Sequence, residues 1–436
     1  MLGSGAALAQ TARRFVCDAG KNNGHGVALS TTSIYDEAGK ASDTLPAYGF
    51  DLNTAPEQIT GRSCSSDKLF FFSVAAHDGN YRVTLVLGGP DASTNTVKAE
   101  SRRLFVDQMA VPARGSRRIV FNVNVHTPEI VAAKDVPDAA GPVVMVRLKP
   151  REIGVLDWDH KLTLEFNGDH PSVRSISIEA VENVPTLYIA GDSTVVDQTK
   201  EPWAAWGQIL PLFFGPKISI ANEAESGETI RSFVSERRLE KVMSTIKPGD
   251  YLMLQFGHND QKPGKGYVPA ATDFKTYLLQ YIHEVRAHGA TPILVTPMNR
   301  RNFDASGKII QTLGEYPQAM REVAQQQHVA LIDLNALSKT LFDAMGVDGT
   351  LHAFVHYPTN TFPDQSEALA DNTHFNAYGA YELARTIVQS IQDQKLPLAR
   401  YLRRPVARFD PAHPDPFSAW TLPPSPAYTA EKPYER

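Results

Sequence analysis

Near Pro185 the hydrophobic pattern of the chain changes character, and that change constrains the fold more than any other feature. Before it, short β-rich runs recur: KLFFFSVA (68–75), YRVTLVLGG (81–89), RRIVFNVNVH (117–126), VVMVRLKP (143–150), HKLTLEFNG (160–168) and SVRSISIEAV (172–181). Gly, Pro, Asn and Asp cluster between them and helical periodicity is nearly absent, a pattern that predicts an all-β sandwich or jelly roll. After it, continuous apolar runs alternate with helical patterns. The runs are TLYIAG (186–191), ISIANEA (218–224), YLMLQFG (251–257), PILVTP (292–297) and VALIDL (329–334).

Between the later runs, residues 272–289 place Phe274, Tyr277, Leu278, Tyr281, Ile282 and Val285 on one helical face, with Gly289 at the C′ position. A last helix near 377–394 aligns Tyr381, Ala384, Ile387, Val388 and Ile391. Continuous apolar strands with crossover helices predict a parallel sheet covered on both faces, a three-layer α/β/α unit. Ligands on such sheets bind beyond the carboxyl ends of the strands.

A chain of 436 residues exceeds one typical core, so the switch is expected to separate domains. The boundaries drawn from pattern are a β-sandwich over 11–182, an α/β unit over 183–395 and a tail over 396–436. The tail holds nine of the 30 prolines and no period, and reads as an extended segment anchored by Phe417 and Trp420. The start, MLGSGAALAQTARR, resembles the end of a secretory signal, with Ala7-Leu8-Ala9 as an A-x-A cleavage site and residues 1–10 as its remnant. That predicts a secreted or periplasmic protein. Cys17 and Cys64, the only two cysteines, are read either as a disulfide or as two buried thiols. The net charge of −5 argues against nucleic acid as a main partner, and no apolar run is long enough to span a bilayer.

The first α/β strand ends in Gly191-Asp192-Ser193. Those residues are common in turns, but a serine at the carboxyl end of a parallel strand is also placed to act as a nucleophile. A nucleophilic serine needs a base, a group that orients the base, and donors for the oxyanion. Candidates follow other strands. Gly227 stands in ESGETIRSF, and His258 and Asn259 stand in GHND. Asp371 and His374 stand three apart in DNTHFNAYG, where a turn or first helical turn would let the carboxylate reach one ring nitrogen. Arg300 and Arg301 follow strand 292–297 and are candidates for holding a uronate carboxylate. His352 and His356, four apart, raise zinc as an alternative, but the Pro, Thr and Asn around them disfavour the helix such a site needs. No metal or other cofactor is expected.

In this order the blocks resemble those of the SGNH (GDSL) hydrolase superfamily over roughly 184–394. GDSTV, WGQ (206–208), T-x-R-S-F (229–233), GHND and DNTHFNAYGA are similar to the rhamnogalacturonan acetylesterase branch. YGFDL (48–52) and VKAESRRLFVD (97–107) are similar to the galactose-binding-like sandwich that precedes some bacterial members. The resemblance implies Ser193 as nucleophile, His374 as base and Asp371 as its orienting group. It implies an oxyanion hole from the Ser193 N–H, the Gly227 N–H and the Asn259 side chain. The implied activity is deacetylation of a plant pectic polysaccharide. Rival readings are a broader acyl esterase, thioesterase or acetylxylan-type esterase on the same site, and a non-catalytic carbohydrate-binding protein. One departure stands out: Glu225 and Glu228 occupy a segment where that branch more often has a Gly-Arg-Ser type sequence, which puts acidic groups near the expected substrate.

Overall fold

A computed structural model describes residues 13–17, 26–36, 47–60, 62–130 and 144–434. The expected signal remnant, residues 1–10, lies outside the described residues. The first half forms two packed sheets. One has the strand order Arg117–Val125, Gly79–Leu87, Ser172–Ala180, Arg13–Val16 and Val27–Ala28, with Ser63–Ser65 and Gln58–Thr60 attached to Ser172–Ala180. The other runs Tyr48–Asp51, Phe70–Ala75, Lys161–Asp169, Ser93–Ala99 and Arg103–Val111. Pairing is antiparallel apart from Arg13–Val16 with Val27–Ala28. Alternate residues point inward, so Phe15, Phe72, Val83, Leu85, Leu164 and Ile176 share one apolar core. Cys17 and Cys64 are joined within that core by a disulfide.

Two expectations for this half need correction. VVMVRLKP yields only the two-residue strand Val144–Met145, and a 3-10 turn begins at Pro150, whose ring cannot continue a ladder. Its Arg147 N–H instead bonds the Glu236 carbonyl in the second half. Conversely, the hairpin of Ser93–Ala99 with Arg103–Val111 arises from a run too polar to stand out as a strand.

The second half is built on a parallel sheet ordered Ser219–Asn222, Thr186–Gly191, Tyr251–Gln255, Thr291–Val295 and Ala330–Ile332. Strand residues alternate between two apolar layers: Leu187, Ile189 and Met253 pack with helices Leu334–Leu351 and Ala377–Asp393, while Tyr188, Ala190, Leu252 and Leu254 pack with Lys275–Ala287 and Tyr316–Gln327. Gly289 follows its helix at φ +71°, the left-handed C′ conformation. The order places the second strand outside the first and the third on its other side. The chain therefore reverses direction across the sheet between Thr186–Gly191 and Tyr251–Gln255, the switch point where a crevice opens.

The tail runs from the second half across to the first and back. Trp420 stacks on Tyr381 with ring centroids 4.3 Å apart and donates to Asp107 at 2.7 Å. Phe417 stacks on His352 but stays half exposed, so Trp420 is the firmer anchor. Lys98 then bonds the Pro423 carbonyl and the Ser425 hydroxyl, both at 2.8 Å.

Candidate active site

Thr186–Gly191 delivers Ser193 into the switch-point crevice. A Cβ on Gly191 would lie 2.6 Å from Val195 Cγ2, so only glycine lets the strand turn this tightly. Asp192 folds its carboxylate back over the turn, accepting from Thr194 N at 2.9 Å and Thr194 Oγ1 at 2.7 Å. Its aspartate therefore shapes the turn that aims the next side chain. His258 is fully buried with Nδ1 3.5 Å from Asp192 Oδ2, an ion-pair distance without hydrogen-bond alignment. Burial holds the His258 ring below the usual histidine value, and the opposite pull of Asp192 does not offset it. His258 thus faces the turn, not an open subsite.

Ser193 Oγ lies 2.8 Å from His374 Nε2, and His374 Nδ1 lies 2.8 Å from Asp371 Oδ2. All three side chains are buried. Asp371 and His374 sit on the strand Leu369–Phe375, not on the turn or first helical turn that their spacing suggested. In a regular strand residues three apart face opposite sides. Here the ladder with Phe354–Tyr357 breaks: Val355 pairs with Asp371 but Phe354 pairs with Phe375. Asp371 Oδ1 accepts from Thr373 N at 2.9 Å and His374 N at 3.1 Å, which curls the bulged segment until the two side chains meet. Burial pushes the Asp371 carboxyl up, but the His374 hydrogen bond and charge outweigh it and hold the group far below the ordinary carboxylate range.

Gly227 follows the strand Ser219–Asn222 at φ +77°, a conformation that strains any residue with a Cβ. Asn259 follows Tyr251–Gln255 and is buried, with Nδ2 donating to the Glu228 carbonyl at 3.0 Å. That amide carries a second hydrogen. Asp260 accepts from Gly257 N and Ile230 N, both at 2.8 Å, tying the Asn259 turn to the helix entered through Gly227. Burial raises the Asp260 carboxyl to about 7.

The arginine pair divides. Arg300 bonds the His258 carbonyl at 3.2 Å, beside the site. Arg301 points elsewhere, to Thr350 Oγ1 at 3.1 Å and the Val347 carbonyl at 2.9 Å. His352 stacks on Phe417, and His356 Nε2 bonds Asn372 Oδ1 at 2.9 Å. Among the described residues no group of three or more His, Cys, Asp or Glu side chains is placed to hold a metal ion.

Glu225 and Glu228 do not present free acidic groups. Arg151 donates to Glu225 Oε1 at 2.8 Å, and Lys149 pairs with Glu228. Both cations come from the segment preceding the α/β half. The acidic segment is therefore ion-paired from across the molecule, and Glu225 with its partner Arg151 lines the cavity beside Ser226 and Tyr434.

Several contributors escape a motif search. Gln198 Nε2 donates to the Ser193 carbonyl at 2.7 Å, and Trp203 Nε1 approaches Asp371 Oδ2 at 3.4 Å. Glu201 bridges to the tail, donating its N–H to the Ala427 carbonyl at 2.8 Å. The tail then brings Tyr434 over Gly227, where an added Cβ would meet the Tyr434 ring at 2.5 Å. A cavity of about 300 Å³ opens here, lined among others by Gln198, Trp203, Ala224, Ser226, Lys432 and Tyr434. Of these signals only the WGQ run, whose Gln208 braces the same loop through the Gln198 carbonyl at 2.8 Å, was visible in sequence.

Residues 189–381 match the GDSL-like lipase/acylhydrolase family. The chain is 41% identical to the rhamnogalacturonan acetylesterase RhgT of Bacillus subtilis over 218 residues, which is 50% of this chain and 93% of that protein. It is 28% identical to the uncharacterized esterase YxiM of the same organism over 369 residues, 81% of this chain and 85% of the other. The crystal structure of YxiM superposes with a TM-score of 0.46 at 24% identity, covering 88% of this chain and 99% of that one.

Proposed function

The chain belongs to the GDSL-like lipase/acylhydrolase family and is a carboxylic ester hydrolase, and from that premise we propose that it removes O-acetyl groups from a plant cell-wall polysaccharide, pectic rhamnogalacturonan first among them. The observation that carries the proposal is the hydrogen-bond chain Ser193–His374–Asp371, with 2.8 Å at each link. The named activity of RhgT, and of a rhamnogalacturonan acetylesterase from Emericella nidulans at 25% identity over 245 residues, supports the choice of substrate.

In this mechanism His374 Nε2 takes the Ser193 proton as Oγ attacks the acetyl carbonyl carbon. The Ser193 N–H, the Gly227 N–H and the second Asn259 Nδ2 hydrogen receive the oxyanion. The tetrahedral intermediate collapses with cleavage of the acyl C–O bond to the sugar, and His374 returns the proton to the departing sugar oxygen. Water, deprotonated by the same ring, then attacks the acetyl-serine; its collapse frees acetate and restores the Ser193 hydroxyl. Asp371 holds Nδ1–H, so Nε2 keeps its lone pair toward Ser193. The Cys17–Cys64 disulfide and a polymeric substrate outside the cell both favour a secreted or periplasmic location.

The test is acetate release from acetylated rhamnogalacturonan, acetylated xylan and octanoyl esters side by side. Preferential release from rhamnogalacturonan is expected. Preference for xylan would shift the substrate to the acetylxylan class, preference for octanoyl esters would remove the carbohydrate assignment, and no release from any would favour a binding protein.

A further inference from the structure

One hairpin of the β-rich half does not end in solvent. Strands Ser93–Ala99 and Arg103–Val111 are joined by Glu100, Ser101 and Arg102, and the joint is driven into the α/β half. Glu100 and Arg102 sit at φ +52° and +67°, the left-handed region that side-chain-bearing residues avoid. Strained turns of this kind persist only when their surroundings over-determine them. Here Ser101 N donates to Asp157 at 3.3 Å, and Gln208 Nε2 donates to the Ser101 carbonyl at 2.8 Å. Leu104, just beyond, is buried in the α/β core with Trp206 and Ile209.

The turn carries two arginines to the loop that follows Ser193. Arg102 Nη1 donates to the Gln198 and Trp203 carbonyls, each at 2.9 Å, and Nη2 pairs with Glu201 at 2.5 Å. Gln198 is the residue whose side chain bonds the Ser193 carbonyl, and Trp203 is the one whose indole reaches Asp371. A single guanidinium therefore grips the immediate neighbours of both ends of the Ser193–His374–Asp371 chain. Arg103, fully buried, takes Asp197 at 2.6 Å, and Asn222 links Asp197 at 2.8 Å to the Val195 carbonyl at 2.9 Å. The planar fork of Arg102 serves two carbonyls through Nη1 and a carboxylate through Nη2 in one fixed geometry.

We propose that Arg102 is a positioning residue for ester hydrolysis, supplied by the β-rich half, which fixes Ser193 through Gln198 and Asp371 through Trp203. The proposal rests on Ser193 being the nucleophile. Displacing a reacting group by roughly 1 Å costs about a hundred-fold in rate. Loss of the clamp is thus a loss of kcat, not of substrate affinity.

Arg102 is half of a buried ion pair, so removing it alone would strand the Glu201 charge. The informative variant is Arg102→Met combined with Glu201→Gln, made in the full chain and compared with the wild type. Activity on 4-nitrophenyl acetate is normalised to active sites titrated to completion with a serine-directed phosphonate, and the adduct is mapped. The double variant is expected to lose about a hundred-fold in kcat per titrated site relative to the wild type, with KM little changed. A residue that only glued the halves together would lower melting temperature and active fraction and leave kcat per titrated site intact, and that result overturns the proposal. Should the double variant fail to fold, Gln198→Leu decides: reduced kcat per site supports the clamp, and unchanged kcat overturns it. A wild-type adduct away from Ser193 overturns this proposal together with the nucleophile assignment, whereas a Ser193 adduct with unaffected variants overturns only the role of Arg102.

Discussion

Neighbouring strands of the β-rich half mostly run in opposite directions, so its turns are divided between the two ends of the sandwich. The five strands of the main sheet in the other half all run the same way, and their carboxyl ends lie along one edge. Ser193, Gly227 and Asn259 each follow a different strand of that single edge. The two halves bury apolar cores by similar means, yet parallel order turns separate loops into one site and antiparallel order does not. Among the described residues, the β-rich half approaches the site through a hairpin tip, residues 99–103, and through the segment 149–158, both set against the loops of the other half.

This contrast predicts that substitutions in the proposed site, at the parallel edge and on the strand Leu369–Phe375, act on turnover, whereas those in the sandwich core act on stability. The largest effect is expected at Asp371. Asp371→Asn keeps the shape and the backbone bonds to Oδ1, but its amide presents a donor to His374 Nδ1 and favours the wrong tautomer. In serine triads the equivalent change costs about ten-thousand-fold in kcat. Steady-state kinetics with the fold checked by circular dichroism would measure it, and an unaltered kcat would leave Asp371 as a brace for residues 373 and 374 alone.

Next is Asn259→Ala. Losing one oxyanion donor typically lowers kcat by about a hundred- to a thousand-fold. A rise in KM with kcat preserved would move Asn259 from transition-state stabilisation to ground-state binding, and the edge would lose one of its three groups.

On the other side of the comparison, replacing Cys17 and Cys64 together by alanine removes a cross-link between positions 47 residues apart. The expected cost is about 3 kcal/mol of stability, read by denaturant unfolding, with kcat unchanged below the melting transition. A parallel fall in kcat would show that the sandwich core governs the site as well as the fold.

The smallest effect belongs to the seam. Glu223 follows the strand Ser219–Asn222, is buried, and faces His126 of the β-rich half at 3.7 Å. Burial raises its carboxyl to about 7 against the pull of Lys241. Its folded value lies above the unfolded one, so its contribution to stability is full below about pH 4.3 and is lost as the pH rises toward 7. Glu223→Gln should therefore be the more stable protein at alkaline pH, with the difference vanishing in acid. Melting curves across the range test this; a constant difference would mean that Glu223 does not change protonation.

Much of the site was legible because each contributing block is local. A continuous apolar run ending in Gly-Asp-Ser, another in Gly-His-Asn-Asp, and Asp-x-x-His before a helix each carry their chemistry within a few residues. The local conformation was less legible: spacing alone assigned Asp371 and His374 to a turn, whereas a bulged strand stabilised by the Asp371 side chain brings them together. STNTVKA gave no strand signal because its polar residues are buried and satisfied by partners distant in sequence, as when Lys98 meets Ser425. For the same reason Arg102, Arg151, Trp203 and Tyr434 could not be singled out. Their roles depend on contacts across the seam and along the tail, and no period or spacing encodes those.

The central claim is that the parallel edge supplies the nucleophile, and the most direct measurement is the site of covalent capture. The protein is treated with a serine-directed phosphonate, digested and mapped by mass spectrometry while residual acetate release is followed. The account predicts one adduct, on Ser193, formed in step with loss of activity. An adduct on another residue, or full inactivation without modification of Ser193, would contradict it.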